Sequence, residues 1–131
     1  MISYGFTKEL TASFDEVIEK VKEALKKEGF GILTEINVKE KFKEKLGIDF
    51  KKYIILGTCN PPSAHKAILA EENIGLMLPC NVIVYEKNNK TVVSMIKPTQ
   101  AMATVGNVQL TQLANEVEKK LRLAFDAIQV T

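Results

Sequence analysis

The segment Cys80–Ile96 reads CNVIVYEKNNKTVVSMI, and it decides how the rest of the chain can fold. Its two halves, Cys80–Glu86 and Thr91–Ile96, are both predicted to be strands. Between them lies Asn88-Asn89, a plausible tight turn because asparagine tolerates positive φ. The segment therefore predicts a β-hairpin, which makes the pairing antiparallel at this point of the sheet.

Three further strands are predicted upstream of the hairpin. Apolar residues alternate with smaller or more polar ones over Ile2–Phe6 and again over Phe30–Val38, which is typical of half-buried strands. The segment Tyr53–Cys59 is apolar nearly throughout and is predicted to be central. Asn60–Ser63 contains two prolines, which end this strand and suit the first turn of a helix.

Two long amphipathic helices are predicted near the ends of the chain. The first begins at a capping box formed by Ser13 and Glu16 and stops at Gly29. The last runs from about Val108 to Ile128. Each helix carries an apolar stripe at helical spacing, made of Phe14, Val17, Ile18, Val21, Ala24 and Leu25 in the first and of Leu110, Leu113, Ala114, Val117, Leu121, Ala124 and Ile128 in the last.

Shorter elements fill the remaining segments. Phe42 and Leu46 indicate a short surface helix that ends at Gly47. The helix opened by the prolines is predicted to stop near Asn73 and Gly75 and to lead into an extended connection over Leu76–Pro79. A loop with one helical turn is expected over Thr99–Asn107.

These elements predict an α+β fold, because two long amphipathic helices need one sheet face to cover. We expect a curved, mostly antiparallel sheet with both long helices on one face and short extra helices. The length of 131 residues suits a single domain over residues 1–131. An apolar content of 46% and a charged content of 26% are those of a globular protein and argue against disorder.

Charge and composition exclude several classes of partner. The formal net charge is only +2, so no nucleic-acid partner is predicted. The lysine-rich run from Lys39 to Lys52 is interrupted by acidic residues and indicates a solvated face. The N-terminus shows no signal-peptide pattern, and no run approaches the roughly 18 apolar residues of a membrane span. We therefore expect a cytoplasmic location, no membrane partner and two free thiols.

Five residues form the candidate site: Cys59, Asn60, His65, Cys80 and Asn81. Cys59-Asn60 ends one predicted strand, His65 is the only histidine, and Cys80-Asn81 opens another strand. If the strands on either side of the helix are antiparallel neighbours, the two cysteines lie close together.

Four interpretations of this cluster are open. A cysteine before a helix N-terminus favours the thiolate, and His65 could pair with it in a thiol site. Cys59, His65 and Cys80 suit zinc by type, but their spacing matches no standard finger and a fourth protein ligand is not evident. Asn60 and Asn81, with free N–H groups at the helix start, could hold an anion or a small polar ligand. Alternatively, both cysteines are buried hydrophobic residues and Asn60 only caps the helix.

The same segments resemble a known family. The chain resembles the bacterial and archaeal family called domain of unknown function 302 in Gly57–Pro62, Ala64, Ala67, Gly75–Val82 and Met95–Pro98. The resemblance implies a β-α-β(4)-α arrangement similar to the TATA-binding-protein-like class. It implies no reaction, and it maps cysteine segments without a role onto Cys59 and Cys80.

The leading hypothesis is a small-ligand-binding or structural module that uses the five candidate residues. A thiol-dependent or redox enzyme using Cys59 or Cys80 is one alternative, and a structural homodimer without a chemical site is another. The apolar edge Ile2–Phe6 lacks a protective proline and favours pairing with a second copy. No motif fixes a reaction or a cofactor, so the sequence leaves open whether the chain is an enzyme.

Overall fold

A computed structural model describes residues 2–129 of the chain. Within that range five strands alternate with five α-helices and one 3₁₀ helix. The strands are β1 Gly5–Leu10, β2 Gly31–Asn37, β3 Tyr53–Cys59, β4 Cys80–Lys87 and β5 Lys90–Ile96. The α-helices are α1 Phe14–Lys27, α2 Val38–Leu46, α3 Pro61–Ala70, α4 Pro98–Ala101 and α5 Val108–Ala127, and the 3₁₀ helix is Glu72–Met77.

The five strands form one sheet in the order β1-β5-β4-β3-β2, and all four neighbouring pairs are antiparallel. The predicted α+β class with an antiparallel sheet is therefore confirmed. The hairpin between β4 and β5 turns at Asn88 and Asn89, whose φ angles are 51° and 64°. Two consecutive positive φ values define the turn whose twist matches that of paired strands.

Helix α1 follows its sequence pattern closely. The Ser13 side chain accepts a hydrogen bond from the Glu16 backbone N–H at 3.3 Å, as an N-cap residue does. At the other end Gly29 has a φ of +83°, and its N–H bonds the Lys26 carbonyl at 3.0 Å, which terminates the helix. All six apolar residues predicted for its stripe are buried: Phe14, Val17, Ile18, Val21, Ala24 and Leu25.

The main hydrophobic core lies between the sheet and the pair α1 and α5. Leu56, Val82, Val84, Val93 and Met95 from three strands join the buried stripes of both helices. Two lysines bind the C-terminal end of α5, since the Lys8 ammonium donates to the Phe125 carbonyl and the Lys20 ammonium to the Gln129 carbonyl. Both long helices thus cover one face of the sheet, as predicted.

Three predicted elements have different bounds in the structure. The first strand is Gly5–Leu10 and not Ile2–Phe6, because six backbone positions pair with β5 up to Leu10. Helix α3 ends at Ala70, before Gly75. The expected extended connection over Leu76–Pro79 begins instead within the 3₁₀ helix, which reaches Met77.

The short helices have peripheral positions. Helix α2 buries no side chain and ends at Gly47 with a φ of +67°, as the sequence indicated. The predicted helical turn after β5 is α4. No helix within residues 2–129 combines the length and the apolar character needed to cross a membrane.

Two neighbouring residues pack closely against Gly57 of β3. A Cβ at this position would lie 2.2 Å from Thr34 Oγ1 of β2 and 2.8 Å from Pro79 Cγ. Both distances are shorter than real Cβ contacts, so one neighbour would have to move. The glycine thus allows Pro79 and β2 to pack against the end of β3.

We expect Gly57→Ala to lower the free energy of unfolding by about 1–3 kcal/mol, as overpacking does. The matched control is Gly75→Ala, because a Cβ there meets nothing within 4 Å and the backbone φ is not positive. Urea unfolding followed by circular dichroism measures both variants. Equal stabilities for the two variants would contradict this description of the packing.

Candidate functional site

The candidate residues lie where β3 ends and β4 begins. Thr58 pairs with Cys80 and Gly57 pairs with Asn81. Cys59 is therefore one register position away from Cys80 on the adjacent strand, so the two segments that the sequence singled out are neighbours. Side chains alternate between the two faces of a strand, so the register places Thr58, rather than Cys59, on the face of Cys80. Both cysteines are free, and this register does not favour a disulfide between them.

Asn60 is a buried polar residue that links two helices. Its Oδ1 accepts a hydrogen bond from the Ser63 N–H at 3.3 Å and caps α3, and its amide donates to the Gly29 carbonyl at 3.4 Å. The side chain is only 8% exposed. Asn60 thus connects the start of α3 to the end of α1, because its amide nitrogen and its amide oxygen each form a hydrogen bond within the protein.

The start of α3 does not provide the free N–H groups expected for an anion site. Pro61 and Pro62 occupy the first two helical positions and have no N–H. The next two N–H groups, of Ser63 and Ala64, bond to Asn60 Oδ1 and to the Asn60 carbonyl. Among the described residues, this helix start therefore offers no free backbone donor, and the anion interpretation loses its physical basis.

Two candidate residues lie apart from the other three. The side chains of His65 and Asn81 are both exposed, and neither residue contributes to the cleft that contains Cys59, Asn60 and Cys80. A search of residues 2–129 for three or more grouped His, Cys, Asp or Glu side chains finds no cluster that could hold a metal ion. The proposed zinc set of Cys59, His65 and Cys80 is thus not assembled.

An apolar cleft lies beside Cys59, Asn60 and Cys80. Its volume is about 320 Å³, and we call it the α3 cleft. Helix α3 forms one wall, α5 forms another, and the ends of β3 and β4 close the third side. Its lining residues are Phe30, Leu33, Thr58, Cys59, Asn60, Ser63, Ala64, Ala67, Ile68, Gly75, Leu78, Pro79, Cys80, Pro98, Met102, Leu113, Ala114 and Val117.

The α3 cleft lies between two separate hydrophobic clusters. The main core contributes Phe30 to the region, with Cys80 and Val117 packed against it, and the buried Ala114 of α5 lies in the wall as well. A small second cluster contains Ala67, Ile74 and Leu110, with Leu78, Met102 and Leu113 packed against it. Because alanine side chains are short, α3 leaves apolar space between the two clusters.

Burial determines the protonation state of the two thiols. Burial raises the pKa of the Cys80 thiol to about 11, and the nearby Cys59 adds to the shift. Burial also raises the pKa of Cys59. Both cysteines are therefore neutral thiols at neutral pH, which is the opposite of the lowered pKa that activates a nucleophilic cysteine.

Most residues of the cleft wall are not among the five candidate residues that the sequence indicated. Leu113, Ala114 and Val117 were assigned to the stripe of α5 that covers the sheet, yet they also face α3. A signal was present in the alanines at positions 64 and 67, since small residues three apart allow two helices to approach closely. Met102 also lines the cleft, as a partly buried residue packed against the second cluster.

The fold and the cleft segments define a class of small α+β domains with an antiparallel sheet, and comparison with known proteins identifies the family. A family model described as "Domain of unknown function DUF302" matches residues 6–128. The chain belongs to this family, which confirms the resemblance seen in the Cys-Asn-Pro and Leu-Pro-Cys-Asn segments.

A solved structure agrees with this assignment. The chain is similar to an uncharacterised conserved DUF302 protein from Bacillus stearothermophilus, with 34% sequence identity and a TM-score of 0.90. The match covers 98% of this chain and 100% of that chain. No curated protein gave a significant match to the chain. The comparisons thus establish family and fold, and they carry no reaction.

The raised pKa values predict slow alkylation. With a pKa of about 11, Cys80 should react with iodoacetamide at pH 8 roughly 100-fold more slowly than free cysteine, because so little thiolate is present. Mass spectrometry of the single-cysteine variants Cys59→Ala and Cys80→Ala measures each rate separately. Alkylation of either thiol faster than free cysteine would contradict the neutral-thiol assignment and favour the thiol-enzyme alternative.

The same burial predicts a pH dependence of stability. The folded-state pKa of Cys80 is raised from 9.0 to about 11. The contribution of the neutral thiol to the free energy of unfolding is therefore complete below pH 9 and is lost as the pH rises towards 11. The free energy of unfolding of the wild type should fall towards that of Cys80→Ala by up to about 2–3 kcal/mol over this range. Urea titrations at pH 8 and 10.5 test this, and a constant difference between the two proteins would refute it.

Proposed function

We propose that this chain is a small-ligand-binding module and that its ligand occupies the α3 cleft. The observation that carries the proposal is the position of the cleft at the two cysteine-containing segments that carry the resemblance to the family. Cys59-Asn60 and Pro79-Cys80 both line it. Its volume of about 320 Å³ lies at the lower end of the range of about 300–1,000 Å³ that is typical of ligand pockets.

The residues of the cleft have separable roles in this proposal. Asn60 holds α3 in position through its bonds to Ser63 and Gly29. The Thr58 hydroxyl donates to the Cys80 carbonyl at 2.9 Å and fixes the ends of the two strands. Ala64 and Ala67 leave the space that a ligand fills. The cysteines contribute neutral, polarisable surface and not nucleophiles.

Filling the cleft tests the proposal. In Ala64→Phe the ring should occupy the cleft and weaken binding of the neutral fluorescent probe 1-N-phenylnaphthylamine at least tenfold. The matched control is Ala127→Phe, because Ala127 is exposed in α5 and lies outside the cleft. Fluorescence titration measures binding, and circular dichroism establishes that both variants are folded.

Each outcome of that titration has a clear meaning. Wild-type binding that is lost only in Ala64→Phe supports the proposal. Absence of binding to the wild type, or equal binding to both folded variants, would count against a ligand site in the α3 cleft. Native mass spectrometry of freshly purified protein adds an independent test, because a bound molecule gives excess mass that is lost on denaturation.

The two alternative functions, a thiol-dependent enzyme and a structural homodimer, remain predictions. A thiol-dependent enzyme needs an activated cysteine, and the raised pKa values of both thiols disfavour it. The edge strand that would pair with a second copy is Gly5–Leu10, because Ile2–Tyr4 precede the strand. This edge carries Lys8 and Glu9, and charged residues protect an edge against pairing. Analytical ultracentrifugation at micromolar concentration tests the predicted homodimer.

A further inference from the structure

We infer that the ligand of the α3 cleft is an uncharged, predominantly hydrocarbon molecule and that the cleft discriminates against the same molecule carrying a carboxylate or an ammonium group. This inference rests on the proposed function, because it names the class of ligand for the same site. It depends on three properties of the wall. No charged side chain lines it, its most buried polar side chains are hydrogen-bonded within the protein, and its thiols are neutral.

Charged side chains are excluded from the wall. Lysine, arginine, aspartate and glutamate make up 26% of the chain, yet none of them, and no histidine, is among the described residues that line the cleft. Lys66, Lys97, Glu116 and Glu118 directly adjoin lining residues in sequence, but none of them lines the cleft. Lys66 and Glu116 line a separate groove, and the Glu118 carboxylate accepts hydrogen bonds from Thr99. An ion in the cleft would lose its hydration without gaining a counter-charge, which is strongly unfavourable.

The most buried polar side chains of the wall, Thr58 and Asn60, already form hydrogen bonds within the protein. Thr58 donates to the Cys80 carbonyl, and Asn60 both donates to Gly29 and accepts from Ser63. Within residues 2–129, every buried side-chain nitrogen or oxygen has a hydrogen-bond partner. A ligand that competed for these groups would break bonds that hold α3 in place, so binding has to come mainly from apolar contact.

The N-terminal end of α3 lines the cleft and could attract an anion, but its backbone donors are absent or already hydrogen-bonded. Pro61 and Pro62 remove two of the donors at the helix start, and Asn60 takes the next two. The thiols of Cys59 and Cys80 stay protonated at neutral pH because burial raises the pKa of each. Neutral thiols provide no negative charge that could attract a cation.

The wall composition leaves room for one weak polar contact. Ser63 is half-buried in the lining, and the Cys80 S–H is a weak donor. A single neutral hydroxyl on an apolar body is therefore compatible with the cleft, whereas a full charge is not. This contrast sets the choice of probes.

A matched series of naphthalene derivatives tests the inference. 1-Naphthalenemethanol is neutral, 1-naphthoate is an anion and 1-naphthylmethylammonium is a cation at pH 7.5, and the three share one apolar body. Each competes with 1-N-phenylnaphthylamine on the wild-type chain in a fluorescence displacement titration. We expect the alcohol to displace the probe and both ions to compete at least tenfold more weakly.

A charge placed in the wall should reverse this preference. Val117 lines the cleft and is half-buried, so Val117→Lys offers a cation to the ligand. The ratio of the affinity for 1-naphthoate to the affinity for 1-naphthalenemethanol should be at least tenfold higher in Val117→Lys than in the wild type. Leu123→Lys is the control, because Leu123 is 58% exposed in the same helix and lies outside the cleft.

The outcomes separate this inference from the proposed function. If 1-N-phenylnaphthylamine does not bind the wild type, the proposed function fails and the inference fails with it. If the probe binds and either ion competes as well as the alcohol, the ligand class is wrong while the site stands. Failure of the alcohol to displace a bound probe would also overturn the inference, because a smaller neutral body should enter the same space.

Discussion

The antiparallel pairing of β3 with β4 is the constraint on which the candidate site depends. These strands are neighbours in the sheet, but twenty residues separate Cys59 from Cys80, far more than a hairpin turn needs. The intervening chain leaves the sheet at Asn60, forms α3 and the 3₁₀ helix against α5, and returns at Pro79. The α3 cleft is the space that this excursion encloses, and Gly57 allows Pro79 to return close to the strand.

The two hydrophobic clusters differ in the way they hold their elements. The main core joins four strands and two long helices through large side chains such as Leu25, Leu56 and Met95. The second cluster holds α3 and the 3₁₀ helix mainly through Ala67, Ile74 and Leu110. Fewer buried apolar groups mean lower local stability, so we expect α3 and the 3₁₀ helix to open before the sheet does. A site at the boundary between the clusters can then admit a ligand without unfolding the core.

Local sequence signals predicted those elements whose causes are local. The capping box at Ser13, the glycine that ends α1 and the Asn88-Asn89 turn each satisfy backbone requirements within a few residues, and the structure has all three. The first strand was misplaced because its bounds follow from pairing with β5, and Lys8 and Glu9 look unlike a half-buried strand. The end of α3 was misplaced because the 3₁₀ helix over Glu72–Met77 packs Ile74 into the second cluster, a tertiary contact that no local pattern reports.

The candidate site was predictable in its position and not in its chemistry. Cysteine, asparagine and proline at two strand ends indicated where β3 and β4 meet. The exposure of His65 and Asn81 depends on the three-dimensional arrangement of the chain, which sequence spacing does not report. The apolar wall formed by Leu113, Ala114 and Val117 comes from a helix more than thirty residues after Cys80. Sequence spacing therefore suggested polar or thiol chemistry, whereas the assembled surface is apolar.

The central claim is that the α3 cleft is an apolar ligand site, and methyl NMR of the wild-type chain titrated with 1-naphthalenemethanol tests it most directly. We expect saturable chemical-shift changes, with intermolecular contacts, at the methyl groups of Ala64, Ala67, Leu78 and Leu113. The exposed Leu123 methyl groups should be unaffected. Shifts that spread evenly over exposed methyl groups, or that leave these four residues unchanged at saturation, would contradict the account.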